Sequence, residues 1–265
     1  MSLTMLVPTR GRPANVRRLL GACAKTVTRR DTTIVVGVGD DDPDLDEYLN
    51  LFVDHRRACA GLRGTHRFDS MVFELPADLA GCVEPLNQMY RWAKFASYPF
   101  TAVGFMGDDV LPETVGWDER LLEEVELGDR PTITYPNDGL RPDIPTAVVM
   151  DARIPAALGY LAPPEFRHLY IDVVWRDWGK ALGSLVYRED LMLRHLHPAA
   201  GHGTMDASYQ HSSSAEMVRH DGAAYETYQA EQLYRDIEKL RQLCASSKER
   251  PPSTTRRSPS NPLSR

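Results

Sequence analysis

Several charged side chains in this sequence sit where they are costly unless they share a task. Asp108 and Asp109 follow Gly107 directly at the end of an apolar run, 101–106. Adjacent carboxylates repel, and one of them raises its pKa unless a cation intervenes. A divalent metal removes that cost, and Mg²⁺ or Mn²⁺ bound by oxygen ligands keeps positions for phosphate oxygens. Arg10 and Arg12 flank Gly11 just before a helical pattern. They put positive charge where a diphosphate or a nucleobase would lie. Gly39 is followed by Asp40, Asp41, Asp42 and Pro43 after another apolar run. Turn chemistry alone accounts for any one of these clusters. Three on one sheet edge point to a site.

Two further places carry candidate chemistry. In 191–198, Leu191, Leu193, His195 and His197 alternate. Strand geometry puts them on one face, so the strand leaves the core and enters a site through two histidines. The alternative is a pair of surface or structurally bonded histidines. Asp172 opens a helical stretch rich in Val and Trp. It is placed either to cap that helix or to take a proton, and the two roles are compatible. Asp177 is the alternative base. Tyr170, Trp175 and Trp178 offer flat apolar faces to a ligand ring, although packing is the commoner fate of such rings.

The elements that position these residues follow from hydrophobic periodicity. Strands are expected at 3–7, 33–38, 71–75 and 101–106. Helices are expected from Pro13, from Leu45, from about Glu84 and over 117–127. Strand–helix alternation predicts a mainly parallel sheet with helices on both faces, and ligands beyond the carboxyl ends of its strands. The second half is less regular, with strands at 132–135, 147–150, 184–187 and 191–197. Helices are expected at 170–182 and 225–244, and a Gly-rich loop at 198–214. Within that loop 201–206 has the composition of a mobile lid or of a plain surface loop. The expected organisation is one domain over 1–244, with a first half to about 112 and a smaller mixed second half. A polar Ser, Pro and Arg-rich tail follows over 245–265.

Composition narrows the function. No apolar run reaches the roughly 18 residues needed to cross a bilayer, and the N-terminus lacks a secretion signal. Four scattered cysteines without a C-x-x-C pair argue against a disulfide framework or structural zinc and fit a cytoplasmic protein. The net charge is −6, and the tail holds five basic residues and one acidic residue, so the body carries about −10. That balance argues against a general nucleic-acid binder, which needs clustered Lys and Arg, and makes any anion-binding site local.

The run Val7-Pro8-Thr9-Arg10-Gly11-Arg12-Pro13 resembles the opening of family 2-like GT-A glycosyltransferases. The acidic end of the second strand and the stretch Val103–Pro112 resemble their nucleoside and D-x-D regions. Gly107 stands where a first Asp is common, which leaves Asp108 and Asp109 as the acidic pair. The resemblance covers 3–112 well and continues more weakly to about 210. It implies an α/β GT-A (Rossmann-like) fold and transfer of a hexose-type sugar from a nucleotide-diphosphate sugar to an acceptor hydroxyl, with inversion. By the resemblance Asp109 is a metal ligand and Asp108 faces ribose or metal-bound water. Pro8, Thr9, Arg10, Asp40 and Asp41 line the nucleoside, Arg12 serves the donor, and Asn87 approaches it. A late histidine, His195 or His197, completes the shell of Mn²⁺ or Mg²⁺, and Asp172 is the base.

Other readings are weaker. A sugar-phosphate nucleotidyltransferase wants a long Gly-rich loop after the first strand, where only Gly11 occurs. A dinucleotide-binding dehydrogenase wants G-x-G-x-x-G there, which is absent. A non-catalytic GT-A-like binding protein is the rival of another class. The resemblance specifies neither sugar, base, acceptor nor oligomeric state.

Overall fold

The computed structural model describes residues 2–61, 68–77, 79, 81–95, 100–127, 130–203 and 205–248. The first half alternates β1 (Leu3–Thr9), α1 (Pro13–Thr26), β2 (Thr32–Gly39), α2 (Leu45–Gly61), β3 (Asp69–Leu75), α3 (Val83–Phe95) and β4 (Ala102–Phe105). The second half adds β5 (Val110–Pro112), α4 (Trp117–Leu127), β6 (Ile133–Asn137), β7 (Val148–Asp151), α5 (Arg153–Leu158) and α6 (Ile171–Leu182). It ends with β8 (Leu185–His195), α7 (Ala207–Ser212), α8 (Ala215–Glu231) and α9 (Leu233–Lys248). No helix among the described residues is long and apolar enough to cross a membrane.

The sheet order is β3-β2-β1-β4-β7-β6-β8-β5. Strands β1 to β4 pair in parallel. Beyond β4 the sheet is mixed, with β7 antiparallel to β4 and β6, and β8 parallel to β6 and antiparallel to β5. This is the expected split between a parallel half and a mixed half.

Strand alternation divides the core into two layers. Leu3, Met5 and Val7 of β1, with Ile34, Val36 and Val38 of β2, meet Val16, Leu19 and Cys23 of α1 and Trp117 and Leu121 of α4. Leu6 and Val35 point the other way, toward Leu86 and Met89 of α3 and Trp175 and Trp178 of α6. Strands buried on both faces explain why β1 and β2 read as unbroken apolar runs. The loop after α1 is closed by Asp118, which is fully buried. It accepts from Thr28 N (3.0 Å), Arg29 N (3.0 Å) and Thr32 Oγ1 (2.9 Å).

Several expectations for the second half are corrected. Residues 184–197 hold one strand, β8, and not two, because β6 and then β5 give its backbone partners along nearly its whole length. The three-residue β5 was not expected. The loop 198–214 contains a 3-10 turn at Pro198–Ala200 and α7. The expected helix 225–244 is two helices. Ser214 caps α8 through Met217 N, and α8 ends at Gln232. A buried carboxylate, Asp236, then anchors α9 by accepting from Tyr160, from Tyr228 Oη (2.7 Å) and from Gln232 Nε2 (2.9 Å). Helix α9 runs to Lys248, so the first residues assigned to a tail are helical. The rest of that tail, 249–265, lies outside the described residues.

Candidate functional site

A cavity of about 1430 Å³ opens over the carboxyl ends of β1, β2 and β4 and extends to the start of α6. Pro8, Thr9, Arg10, Arg12, Asp41, Asp108, Asp109, Asp172, His195 and His197 all line it. Residues from positions 8 to 197 are therefore brought to one place. Asp40, Asn87 and Asp177 do not line it.

The acidic pair is buried, with Asp108 5% and Asp109 8% exposed. Asp108 accepts from Thr9 Oγ1 (2.6 Å), Arg12 Nη1 (3.2 Å) and Asn15 Nδ2 (3.3 Å). Burial and the neighbouring Asp109 push its carboxyl up to about 6 against those donors. Asp109 receives the Tyr209 hydroxyl on Oδ2, and Arg12 Nη1 lies 3.8 Å from the same oxygen. Its Oδ1 faces His195 Nε2 at 3.6 Å. Burial works to raise Asp109, but His195, Tyr209 and Arg12 outweigh it and hold the carboxyl below its ordinary value. The pair thus splits into a carboxyl that resists ionisation and one that is firmly charged.

Gly107 follows from this geometry. A Cβ on it would stand 2.5 Å from Asp109 Oδ1. A first Asp could not occupy that position without moving the carboxylate beside it.

Backbone pairing sets the place of His195. Val110 of β5 is its register partner, Leu196 N donates to Asp109 O (2.9 Å), and His195 N donates to Asp138 O (3.0 Å). Burial opposes its charge, but Asp109 raises its pKa above the usual value. Its Nδ1 is buried without a hydrogen-bond partner. The His197 ring stands edge-on to that of His195 with centroids 5.2 Å apart, and burial and His195 lower its pKa.

The donor set can be tested against a cation. Mg²⁺-type ions at phosphate sites take one or two protein ligands and fill the rest with phosphate oxygens and water. Asp109 Oδ1 and His195 Nε2, 3.6 Å apart, fit that arrangement. Among the described residues no three His, Cys, Asp or Glu side chains form a metal-holding group. The fit is to an ion shared with a ligand, not to a closed cage.

The nucleoside-side expectations divide. Arg10 pairs with Asp41 through two bonds of 2.7 and 2.8 Å at the cavity rim. Asp42 builds the turn, accepting from Gly11 N (2.8 Å) and Asp44 N (2.9 Å). That turn brings Asp41 to the cavity and leaves Asp40 exposed outside its lining. Asn87 is 1% exposed, and its amide bonds the backbone of Leu161 and Ala162 at 2.8 to 3.1 Å. With both ends of the amide held there, Asn87 ties α3 to the segment after α5 and does not approach the cavity.

At the other end, α6 begins after Tyr170, whose φ of +67° places a non-glycine residue in the left-handed region. Tyr170 is the N-cap position, so Asp172 lies inside the first turn, where its Oδ1 accepts from Val173 N (2.8 Å). Burial raises its carboxyl above the usual range, opposed by that N–H. Asp177 is held by Arg176 Nη2 (2.9 Å) and by Tyr225 Oη (3.4 Å). Trp178 is buried in the core and donates to Tyr228 Oη (2.9 Å), while Trp175 lines the cavity against Phe105.

Sequence reasoning missed four cavity or support residues. Tyr209 lies in α7, which has no buried residue and hence no apolar periodicity to reveal it. Asp206 caps α7 through Tyr209 N (3.0 Å) and takes Arg12 through Nε (2.7 Å) and Nη2 (2.5 Å). Asp138 accepts from Leu140 N and Arg141 N, both at 2.7 Å, at the cavity edge. Asp221, fully buried in α8, accepts from the backbone of Arg167, His168 and Leu169, the turn that leads into α6. A single buried acid in a polar helix gives no spacing signal.

No protein-family model and no curated protein matches the chain. Solved structures do. The chain is similar to residues 1–349 of TarS from S. aureus, with 13% identity and a TM-score of 0.55 over 73% of this chain. It spans 60% of that TarS fragment and 37% of the longer TarS chain. The fragment in complex with UDP matches at 12% identity and TM-score 0.54, over 92% of this chain and 70% of that one. The mannosyltransferase PcManGT from Pyrobaculum calidifontis, in complex with GDP-Man and Mn²⁺, matches at 11% identity and TM-score 0.54, over 93% and 74%. At such identities the likeness is one of fold. The chain has the α/β fold of GT-A glycosyltransferases.

Proposed function

We propose that this chain is a glycosyltransferase that moves a sugar, of the hexose type, from a nucleotide-diphosphate sugar to an acceptor hydroxyl with inversion. The observation that carries the reading is the continuity of the cavity. It runs from Arg10, Asp41 and the Asp108–Asp109 pair at the strand ends to Asp172 at the first turn of α6. A donor and an acceptor fit end to end along such a path. The fold supports the reading at the level of analogy, since relatives of the same fold were solved with GDP-Man and Mn²⁺ and with UDP.

Each residue has a role in this reading. Pro8, Thr9, Arg10 and Asp41 receive the nucleoside at the rim, and Asp108, held by Thr9, faces the ribose. Arg12 places fixed positive charge beside the diphosphate. Asp109 and His195 would hold Mn²⁺ or Mg²⁺, with His197 edge-on to His195 in the same cavity. Such an ion supplies positive charge to the departing diphosphate. Asp172 takes the acceptor proton, and its buried, raised carboxyl is a better base than an exposed one. The apolar walls near it, including Trp175, exclude water that would otherwise hydrolyse the donor.

A thermal-shift series with UDP and GDP, with and without Mn²⁺, tests the reading. A nucleotide at a hundredfold excess over Kd stabilises by about 2.7 kcal/mol. Asp109→Ala is expected to remove the Mn²⁺-dependent part of the shift, read against the variant's own metal-free melting temperature, which falls because the carboxylate is buried and paired. Unaltered Mn²⁺ dependence in that variant overturns the assignment of Asp109. Hydrolysis of UDP- or GDP-sugars with Mn²⁺ separates an enzyme from a non-catalytic binding protein of the same fold.

A further inference from the structure

Helix α7 has no buried residue, so apolar packing does not hold it in place. Polar contacts to the candidate site do. Asp206, its N-cap, takes both Arg12 Nε (2.7 Å) and Nη2 (2.5 Å). Ser208 Oγ donates to the backbone oxygen of Arg10 (3.1 Å). The Arg12 guanidinium lies 4.5 Å from the Tyr209 ring centroid. The Tyr209 hydroxyl donates to Asp109 Oδ2.

These contacts divide the oxygens of Asp109. Oδ2 is taken by Tyr209, with Arg12 nearby, and Oδ1 is left facing His195 Nε2 at 3.6 Å. A carboxylate's terminal torsion is soft and roughly two-fold, so without a partner on one oxygen its orientation is poorly set. Carboxylates that ligate metals are themselves held by hydrogen bonds, and losing such a partner typically costs 10- to 100-fold in metal affinity.

We propose that Tyr209 is a positioning residue of the cation site. By holding Asp109 Oδ2 it aims Oδ1 at the space shared with His195, and it makes α7 a working part of that site. The inference rests on the reading that Asp109 and His195 hold a divalent cation. Linkage makes the effect reciprocal: a cation bound at Asp109 strengthens the docking of α7 by the same factor.

The experiment is a Mn²⁺ titration of the full chain in the presence of UDP or GDP at one fixed concentration for every chain, followed by the electron paramagnetic resonance signal of unbound Mn²⁺ and corrected for a protein-free nucleotide control. Tyr209→Phe keeps the ring beside Arg12 and His197 and removes only the hydroxyl. Its Kd for Mn²⁺ is expected to weaken by about tenfold or more, with circular dichroism showing both chains folded at the temperature of the titration. An unchanged Kd overturns the proposal. A tighter Kd also overturns it, because Tyr209 would then compete with the ion. A wild-type chain that takes up no Mn²⁺ removes the cation reading and this inference together. That result is distinct from a wild type and a variant that bind equally. Limited proteolysis of the wild type gives an independent measurement. Mn²⁺ is expected to slow cleavage within α7, and an unaltered rate breaks the link.

Discussion

Replacing Asp221 with Asn tests whether a buried acid of α8 holds the approach to α6. The carboxylate is fully buried and accepts from Arg167 N (3.0 Å), His168 N (2.8 Å) and Leu169 N (2.6 Å). The other side of the turn is tied to α3, where Cys82 N and Val83 N donate to Arg167 O at 2.9 and 3.1 Å. Asn keeps the shape but offers one acceptor oxygen and places an NH₂ among N–H groups. Two bonds then fall from charged to neutral strength, about 1 kcal/mol each, and one N–H is left without a partner at about 1–2 kcal/mol. The expected loss is about 3 kcal/mol at pH 7, or roughly 6–12 °C in melting temperature for a domain of this size. The pH dependence has a definite sign. Burial works to raise the Asp221 carboxyl, but the backbone donors and His220 outweigh it, so it lies below its ordinary value of 3.8. A depressed acid stabilises above its unfolded pKa, and that contribution is lost as pH falls through the folded value. The gap between wild type and variant should therefore stay constant from pH 7 to about 4 and close below that. Urea unfolding at several pH values measures it. A gap below about 0.5 kcal/mol at pH 7, within the range of an ordinary surface change, refutes the reasoning. So does a gap that persists at the lowest pH at which the chain stays folded.

Two further substitutions address the chemistry. Asp172→Asn should lower kcat by about 10²-fold or more while nucleoside diphosphate affinity and melting temperature stay near wild type. Because burial lifts the Asp172 carboxyl, the acid limb of the wild-type rate profile should lie above that of an ordinary carboxylate and vanish in the variant. Normal turnover by the variant, or retention of configuration seen by NMR of fresh product, removes Asp172 as the base. Gly107→Asp restores the common D-x-D pattern but puts a Cβ 2.5 Å from Asp109 Oδ1. It should weaken Mn²⁺-dependent nucleotide binding at least about tenfold with little change in melting temperature. Unimpaired binding would show that the orientation of Asp109 does not matter.

The first half of the fold was legible because its strands are buried on both faces and its helices on one. Leu3 to Val7 and Ile34 to Val38 read as strands, and Val16, Leu19, Leu20 and Cys23 read as a helix face. The acidic pair, the first-strand arginines and His195 stand out because charge at the end of an apolar strand is conspicuous. Asn87 misled for the opposite reason, since a polar residue in an amphipathic helix looks the same whether it faces a ligand or the backbone of another segment. Tyr209 and Asp221 gave no signal, because their partners are up to 100 residues away and they lie in polar helices, and Asp206 showed only as the end of the Gly-rich stretch 201–206, with nothing to point to Arg12, 194 residues away. The break between α8 and α9 was hidden because helical periodicity continues across Gln232.

The register of β5 against β8 has a consequence for how this region tolerates change. Val110 faces His195 directly, Leu111 faces Arg194 and Pro112 faces Leu193, while Leu196 N donates to Asp109 O. The pairing that brings Asp109 and His195 together is a matter of main-chain spacing, so it survives the exchange of most side chains along it. It does not survive a change of length. Because strand side chains alternate, one residue inserted between Leu193 and Arg194, or the deletion of Arg194, turns His195 to the opposite face and brings Arg194 or Leu196 to its place. Point substitutions around this pairing are graded in their effects; single-residue indels are all or nothing.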